Sequence, residues 1–208
     1  PSIIGFTKVL PSAAGLLMDK EIKAMQKVIS NSEQPSIAIL GGIKLDDTVA
    51  IAERLIDDKI VQHIWMTGGA AAIFLKISGK DPGSASLEII RRELGEESWI
   101  STIKASENLF QKYKNKIRLP SDVALAKLNG RFDVSVNNLP SDYPIYDIGF
   151  ETAQAISSDI RNSATIIVNG PTGVFEIPEF AFGTIEVLNA CAETNGFTVL
   201  GGGHTSTL

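Results

Sequence analysis

The sequence lacks several features that mark particular protein classes. Its 208 residues include one cysteine, Cys191, so no intramolecular disulfide can form and a reducing, cytoplasmic compartment is the default. No apolar run approaches the ~20 residues that a membrane-spanning helix needs, and no signal peptide is visible. These absences argue against a disulfide-stapled secreted domain and against a membrane partner.

Basic charge is also scarce in the chain. Lysine and arginine number 19 against 24 aspartate and glutamate residues, which leaves a net charge of -5. A protein that holds nucleic acid through its phosphates needs a basic face, so we expect no nucleic-acid partner. The hydrophobic content of 44% is ordinary for a globular protein, and we expect a single domain.

Two phosphate-binding signatures are absent as well. The chain contains no G-x-x-x-x-G-K-[ST] motif, which excludes a P-loop protein. No G-x-G-x-x-G opens a helix with an acidic residue about 20 positions later, so a dinucleotide-binding dehydrogenase domain is a poorly supported alternative.

Strands and helices alternate along the chain. Apolar, often β-branched runs predict strands at residues 36–40, 60–66, 123–126, 165–168 and 197–200. Amphipathic segments separate them, and Ser12 is predicted to cap the first helix. Because strand–helix–strand units are right-handed, the pattern predicts an α/β, Rossmann-like three-layer fold with a mostly parallel sheet and helices on both faces.

Four predicted strands end in turns that contain glycine: Gly41 with Gly42, Gly68 with Gly69, Gly170 with Gly173, and Gly201 through Gly203. Any one turn could serve local geometry alone. The carboxyl ends of parallel strands meet at one edge of a sheet, where ligands bind. Backbone N–H groups there favour anions, above all phosphates. The four turns together favour a nucleotide site.

Polar side chains accompany these turns. The segment from Asn169 to Glu176 carries an amide and a carboxylate that can fix the polar groups of a ligand. Lys44 could reach a bound phosphate or could be a solvated surface lysine. His204 could contact a phosphate or a metal, or could be a neutral histidine in the first turn of a helix. His63 lies between apolar residues of a strand and is expected to be structural.

In order and spacing, these motifs resemble the C-terminal nucleotide-binding domain of phosphoglycerate kinase. The 169–176 segment is highly specific, whereas the glycine pairs are much less so. Tyr143–Tyr146 and His204 look more like archaeal members. The matching segments cover nearly the whole chain, at residues 10–18, 39–44, 68–76, 119–122, 147–149, 169–176 and 201–203.

The resemblance implies an activity and its reactants. The family transfers a phosphoryl group between 1,3-bisphosphoglycerate and Mg-ADP, giving 3-phosphoglycerate and Mg-ATP, while two Rossmann-like domains close over the reactants. The implied cofactor is Mg²⁺ with ADP or ATP, in the cytoplasm, for glycolysis and gluconeogenesis. Residues 1–208 would form the nucleotide-binding domain, with residues 1–30 as the interdomain helix region.

The resemblance also implies roles for individual residues. Tyr146 would pack on the adenine and Glu176 would bind the ribose hydroxyls, while Lys44, Gly202 and Gly203 would act on the transferred phosphoryl group as catalytic residues. The full nucleotide-binding set would be Gly41, Gly42, Lys44, Gly68, Gly69, Tyr146, Asn169, Pro171, Gly173, Val174, Glu176, Gly201, Gly202, Gly203, His204 and Thr205.

Three departures from the family's pattern affect these expectations. Thr48 and His204 stand where most bacterial and eukaryotic members have lysine and aspartate, so the metal ligands stay open. The N-terminal domain, which binds the glycerate substrate and carries a catalytic arginine, would precede Pro1, and a last helix would follow Leu208. We therefore expect an inactive fragment that meets 3-phosphoglycerate or 1,3-bisphosphoglycerate only with that domain. A non-catalytic adenine-nucleotide-binding module is the alternative.

Overall fold

A computed structural model describes residues 5–202, and the chain divides into two compact units, residues 1–31 and 32–208. In the first unit a short 3₁₀ turn, Phe6–Lys8, precedes helix α1, Leu16–Asn31. The expected N-cap is wrong, because the Ser12 hydroxyl donates to the carbonyl of Leu10 and the helix begins four residues later.

The second unit contains the remaining helices and all the described strands. Its helices are α2 (Leu45–Asp57), α3 (Gly68–Ile77), α4 (Ser84–Leu94), α5 (Glu96–Tyr113), α6 (Phe150–Arg161) and α7 (Phe182–Glu193). Its strands are β1 (Ser36–Leu40), β2 (His63–Met66), β3 (Ile117–Arg118), β4 (Asp122–Lys127), β5 (Gly130–Ser135), β6 (Ile145–Ile148), β7 (Thr165–Asn169) and β8 (Phe197–Gly201).

Within the described residues, the larger sheet has five strands in the order β3-β2-β1-β7-β8, and every neighbouring pair is parallel. In the central strand, Ile39 is in register with Trp65 of β2 and with Val168 of β7. The chain builds outward from β1 to β3 and then crosses to the other side of β1. The predicted α/β fold with a mostly parallel sheet is confirmed.

The central strand is buried on both faces, which is why its sequence is continuously apolar rather than alternating. Ile37 and Ile39 join a core cluster with Ile156 of α6 and Val187 of α7. Side chains of a strand alternate between faces, so Ala38 and Leu40 are directed to the other face. The sheet therefore forms the middle layer between helices.

A second, antiparallel sheet with the strand order β5-β4-β6 was not predicted. Lys127 pairs with Gly130, so β4 and β5 form a tight hairpin around Leu128 and Asn129. The loop is followed by Gly130, whose φ of 103° is a conformation that favours glycine. Strand β5 escaped prediction because its polar and half-exposed residues form no apolar run. This sheet packs through a small cluster of Leu75, Val123, Leu125 and Val136.

Candidate functional site

The carboxyl ends of β1, β2 and β7 border one cavity of about 590 Å³. The strand order reverses between β1 and β7, so the cavity lies at the switch point where open α/β sheets bind their ligands. Its volume lies within the range of small-molecule sites.

The cavity brings together most of the residues that the sequence singles out. The predicted nucleotide-binding residues that line it are Gly41, Gly42, Lys44, Gly68, Gly69, Tyr146, Asn169, Pro171, Gly173, Val174, Glu176 and Gly202. Gly201 ends β8 and is not among the lining residues. The predictions for Gly203, His204 and Thr205 lie outside the described residues.

Backbone hydrogen bonds connect the three turns to one another. The N–H groups of Gly41 and Gly42 donate to the carbonyls of Asn169 and Pro171 at 2.9 and 2.8 Å. The N–H of Gly68 donates to the carbonyl of Thr172 at 2.9 Å. These three N–H groups therefore bind one turn to another. This differs from the expectation that the N–H groups of the turns point to a bound phosphate.

Glycine is needed here because the turns approach one another closely. A β-carbon at Gly41 would overlap the carbonyl oxygen of Pro171, and one at Gly173 would overlap that of Tyr146. Gly68 has a φ of 55°, a left-handed conformation that side chains disfavour. The glycines therefore shape the cavity wall by allowing contact between backbones.

The start of α2 supplies the charged part of the lining. Lys44 is the exposed residue that precedes the helix, and Asp47 and Thr48 follow in its first turn. The Thr48 hydroxyl is buried and donates to the carbonyl of Lys44 at 3.0 Å. An ammonium group beside the positive end of a helix dipole favours an anionic ligand.

Another part of the lining is apolar. Ile89 and Ile90 of α4, with Ile145 and Ile148 of β6, contribute to it. The Tyr146 ring packs edge-on against Phe180 with centroids 5.2 Å apart. Sequence reasoning missed the α4 residues, because the apolar period of a helix does not distinguish a cavity wall from a packed core.

Asp147, which also lines the cavity, carries a buried carboxylate. The Asp147 side chain is fully buried, and it accepts hydrogen bonds from Arg131 at 2.9 Å and from the Thr172 hydroxyl at 2.9 Å. The Gly183 N–H donates to it at 2.8 Å. Burial raises the pKa of Asp147 above its ordinary value, while these three donors oppose the rise. Arg131 lies in the unpredicted strand β5 and was missed with it.

His63 does not line the cavity. Its Nε2 lies 3.2 Å from Oδ2 of Asp159, and the same oxygen accepts the indole N–H of Trp65 at 2.7 Å and a hydrogen bond from Arg118. Burial and the charge of Arg118 lower the pKa of His63, against the effect of Asp159. The cluster joins β2 and β3 to α6, which supports the structural role expected of His63.

Residues 5–202 contain neither a metal-binding cluster nor a membrane-spanning helix. No group of three or more histidine, cysteine, aspartate or glutamate side chains in this range could hold a metal ion. No helix in the same part of the chain has the length and apolar character needed to cross a bilayer.

The whole chain, residues 1–208, matches the family model described as phosphoglycerate kinase. The chain belongs to the phosphoglycerate kinase family. The family resemblance inferred from the turns is thereby confirmed, and it extends over both ends of the sequence.

Individual members of the phosphoglycerate kinase family give the same result. The enzyme of Methanothermus fervidus is 42% identical over 204 residues, which are 98% of this chain and 48% of that protein. The enzyme of Methanosarcina mazei is 38% identical over 206 residues, or 99% of this chain and 48% of that protein. Both are archaeal, as the resemblance indicated. The chain spans about half the length of the curated relatives it matches.

Solved structures of phosphoglycerate kinases agree with the fold. The structure from Pyrococcus horikoshii superposes with a TM-score of 0.88 at 32% identity, covering 99% of this chain and 51% of that one. The structure from Coxiella burnetii gives a TM-score of 0.79 at 29% identity, covering 93% of this chain and 48% of that one.

Proposed function

We propose that the cavity binds ADP or ATP, and that this chain is the nucleotide-binding part of a phosphoglycerate kinase. The assembled enzyme would move a phosphoryl group between 1,3-bisphosphoglycerate and ADP. The observation that carries the proposal is the cavity itself: in a member of this family, three glycine turns and Lys44 line one cavity at the switch point of the sheet.

The lining supports a division of the nucleotide among its parts. The apolar wall that includes Tyr146 suits a planar base, which needs surface contact more than charge. Glu176 would accept hydrogen bonds from the ribose hydroxyls, as a carboxylate does. Lys44, at the start of α2, would hold the phosphates.

Phosphoryl transfer depends on positioning and charge stabilisation rather than on a protein nucleophile. Lys44, Gly202 and Gly203 are the proposed catalytic residues, because an ammonium group and backbone donors stabilise the charge of the transferred group. The glycerate substrate would be held by an N-terminal domain, so this chain alone would not turn over. Residues 1–30 would belong to the region between the two domains.

The lining also fits Mg²⁺ bound with the nucleotide. Magnesium in such sites is held by one or two carboxylates together with phosphate oxygens and water, so a cluster of three acids is not required. Asp47 places a carboxylate on the cavity wall in the same helical turn as Thr48 and close in sequence to Lys44. Asp47 would hold the ion, and the ion would neutralise phosphate charge.

Isothermal titration with Mg-ADP and with NAD tests the binding proposal. We expect saturable binding of Mg-ADP and none of NAD, because the dinucleotide fingerprint is absent. Preference for NAD would contradict the proposal and favour a dehydrogenase-type domain.

A coupled assay then tests the catalytic proposal. This chain alone should give no turnover, and addition of a phosphoglycerate kinase N-terminal domain should restore it. Turnover by this chain alone would contradict the proposal that catalysis needs the N-terminal domain. ADP binding without any activity on addition of the N-terminal domain would favour a non-catalytic nucleotide-binding module.

A further inference from the structure

One buried carboxylate connects the cavity wall to the antiparallel sheet. Asp147 follows Tyr146 in β6, and its side chain has no exposed surface. A buried carboxylate is costly unless donors surround it. Four donors do so here, two at each oxygen, and they come from different elements of the fold.

The first oxygen, Oδ1, holds the turn that follows β7. It accepts one hydrogen bond from the Thr172 hydroxyl and one from the backbone N–H of Ile148, each at 2.9 Å. The Thr172 carbonyl in turn accepts the N–H of Gly68 at 2.9 Å, and the adjacent Pro171 carbonyl accepts that of Gly42. A displacement of Thr172 would therefore move the turns that follow β1 and β2 as well.

The second oxygen, Oδ2, joins β6 to α7 and to the hairpin. It accepts the N–H of Gly183 at 2.8 Å and a guanidinium N–H of Arg131 at 2.9 Å. Arg131 is itself fixed, since its Nε donates to Asp133 at 2.8 Å and its Nη2 donates to the carbonyl of Ile148 at 2.8 Å. Its side chain is 17% exposed, so the pair lies largely out of water.

We propose that Asp147, held by Arg131, is a positioning residue that keeps the Pro171–Val174 turn in the conformation that binds nucleotide. It acts through the Thr172 hydroxyl. The inference rests on the proposed function, because the ligand it serves is the nucleotide. Its physical basis is that a carboxylate accepts at both oxygens, whereas an asparagine of the same shape would direct N–H groups at one set of donors.

The test compares ADP affinity with local order in Asp147→Asn. Titration calorimetry with Mg-ADP should show an affinity about 10- to 100-fold below that of the original chain, the range for loss of hydrogen bonds to a charged group. Amide hydrogen exchange, followed by NMR, should quicken at Gly68 and Gly42 more than at the amides of β1. A merely structural role would quicken exchange throughout and would not single out the turns.

A second pair of variants covers the case in which Asp147→Asn does not fold. Thr172→Val keeps the shape of the side chain but removes the hydroxyl that contacts Oδ1. We expect it to weaken ADP binding, and we expect Thr172→Ser, which restores the hydroxyl, to recover most of the affinity. Equal affinities for the valine and serine variants would contradict the inference.

Asp159→Asn is the matched control. It makes the same chemical change at a carboxylate that also pairs with an arginine, Arg118, and that does not line the cavity. We expect it to lower stability without changing ADP affinity. An equal loss of affinity in Asp159→Asn and Asp147→Asn would overturn the inference.

The failure of this inference can be told from the failure of the proposed function. If the original chain binds Mg-ADP and both Asp147→Asn and Thr172→Val bind it equally well, the inference alone is wrong. If the original chain binds no nucleotide, the proposed function fails, and the exchange rates still decide whether Asp147 orders the turn. Selective quickening at Gly68 would support the positioning role, and uniform quickening would contradict it.

Discussion

A β-carbon at Gly41 would overlap the carbonyl oxygen of Pro171, and it would lie 2.7 Å from the hydroxyl of Thr67. Both neighbours are held in place, since the Pro171 carbonyl accepts the N–H of Gly42 and the Thr67 hydroxyl donates to Leu40. At the scale of single residues, the turns therefore depend on the absence of a side chain.

Gly41→Ala should lower the free energy of unfolding by about 1–3 kcal/mol, because it adds an atom where the surroundings cannot relax. Chemical denaturation followed by circular dichroism would measure the loss. Gly15→Ala is the control, since a β-carbon at Gly15 meets no atom within 4 Å. Equal stability of both variants would contradict the close approach of the turns.

Lys44→Met should weaken Mg-ADP binding about 10- to 100-fold, because it removes a charge-assisted contact to phosphate. The methionine keeps most of the length of the side chain, so the loss should appear in affinity rather than stability. Lys104→Met, an exposed position on α5 outside the cavity, should bind as the original chain does. Calorimetry of the two variants side by side would separate a local contact from the general effect of net charge.

At this scale the sequence predicted that these glycines lie in turns after strands, but it did not predict which carbonyls their N–H groups would meet. Glycines at Gly41, Gly68 and Gly170 mark turns because few other residues serve there. That the N–H of Gly68 would donate to Thr172 could not be read from the sequence, because the two residues are 104 positions apart and meet only through the strand order.

At the scale of elements, β1 organises the molecule. It pairs with β2 on one side and β7 on the other, so two of the cavity's turns, at Gly41 and Gly170, follow neighbouring strands. Ile39 is completely buried in this strand. The geometry of the site therefore depends on the packing of β1, although only the turn that follows this strand lines the cavity.

Ile39→Ala should cost about 2–5 kcal/mol of stability, the range for truncation of a large buried aliphatic side chain. Ile100→Ala makes the same change at a position on α5 that is 68% exposed, and it should cost far less. Thermal or denaturant unfolding of both variants would check the difference. Similar losses would show that β1 is not the buried centre of the sheet.

Stability should fall as the pH drops below about 6.5, the ordinary pKa of histidine. Burial lowers the pKa of His63 in the folded chain, so the unfolded chain binds the proton more readily and gains population as the pH falls through that range. The pKa of Asp159 is also lowered, because its hydrogen-bond donors and the charge of Arg118 outweigh the effect of burial. This shift changes the stability only at pH values below 3.8.

His63→Gln should reduce this dependence on pH. The free energy of unfolding would be measured at about pH 7.5 and 5.5, on either side of the ordinary histidine pKa. We expect the original chain to lose more stability between the two values than the variant does. Equal losses would contradict a lowered pKa for His63 in the folded chain.

The elements that sequence reasoning missed share a physical cause. Strand β3 has two residues, and β5 alternates polar side chains such as Arg131 and Asp133, which pair with each other along the same strand. Neither shows the apolar run by which β1 and β7 were found. Periodicity detects burial, so it overlooks strands that are stabilised by charge pairs and by hairpin geometry.

At the scale of the whole molecule, the chain corresponds to about half of a phosphoglycerate kinase. The family could be predicted from the sequence, because the glycine turns follow one another in the family's order and with its spacing. The buried pair of Asp147 and Arg131 could not, since it depends on a strand without an apolar pattern and on a distance across the fold.

We propose that the glycine turns of this cavity bind an adenine nucleotide. Titration of ¹⁵N-labelled protein with Mg-ADP, followed by NMR, tests this binding at the turns themselves. We predict saturable shifts at the amides of Gly42, Gly69 and Gly173, with no comparable shifts at α5, which supplies no lining residue. Saturable binding with shifts elsewhere, or no shifts at all, would contradict the account.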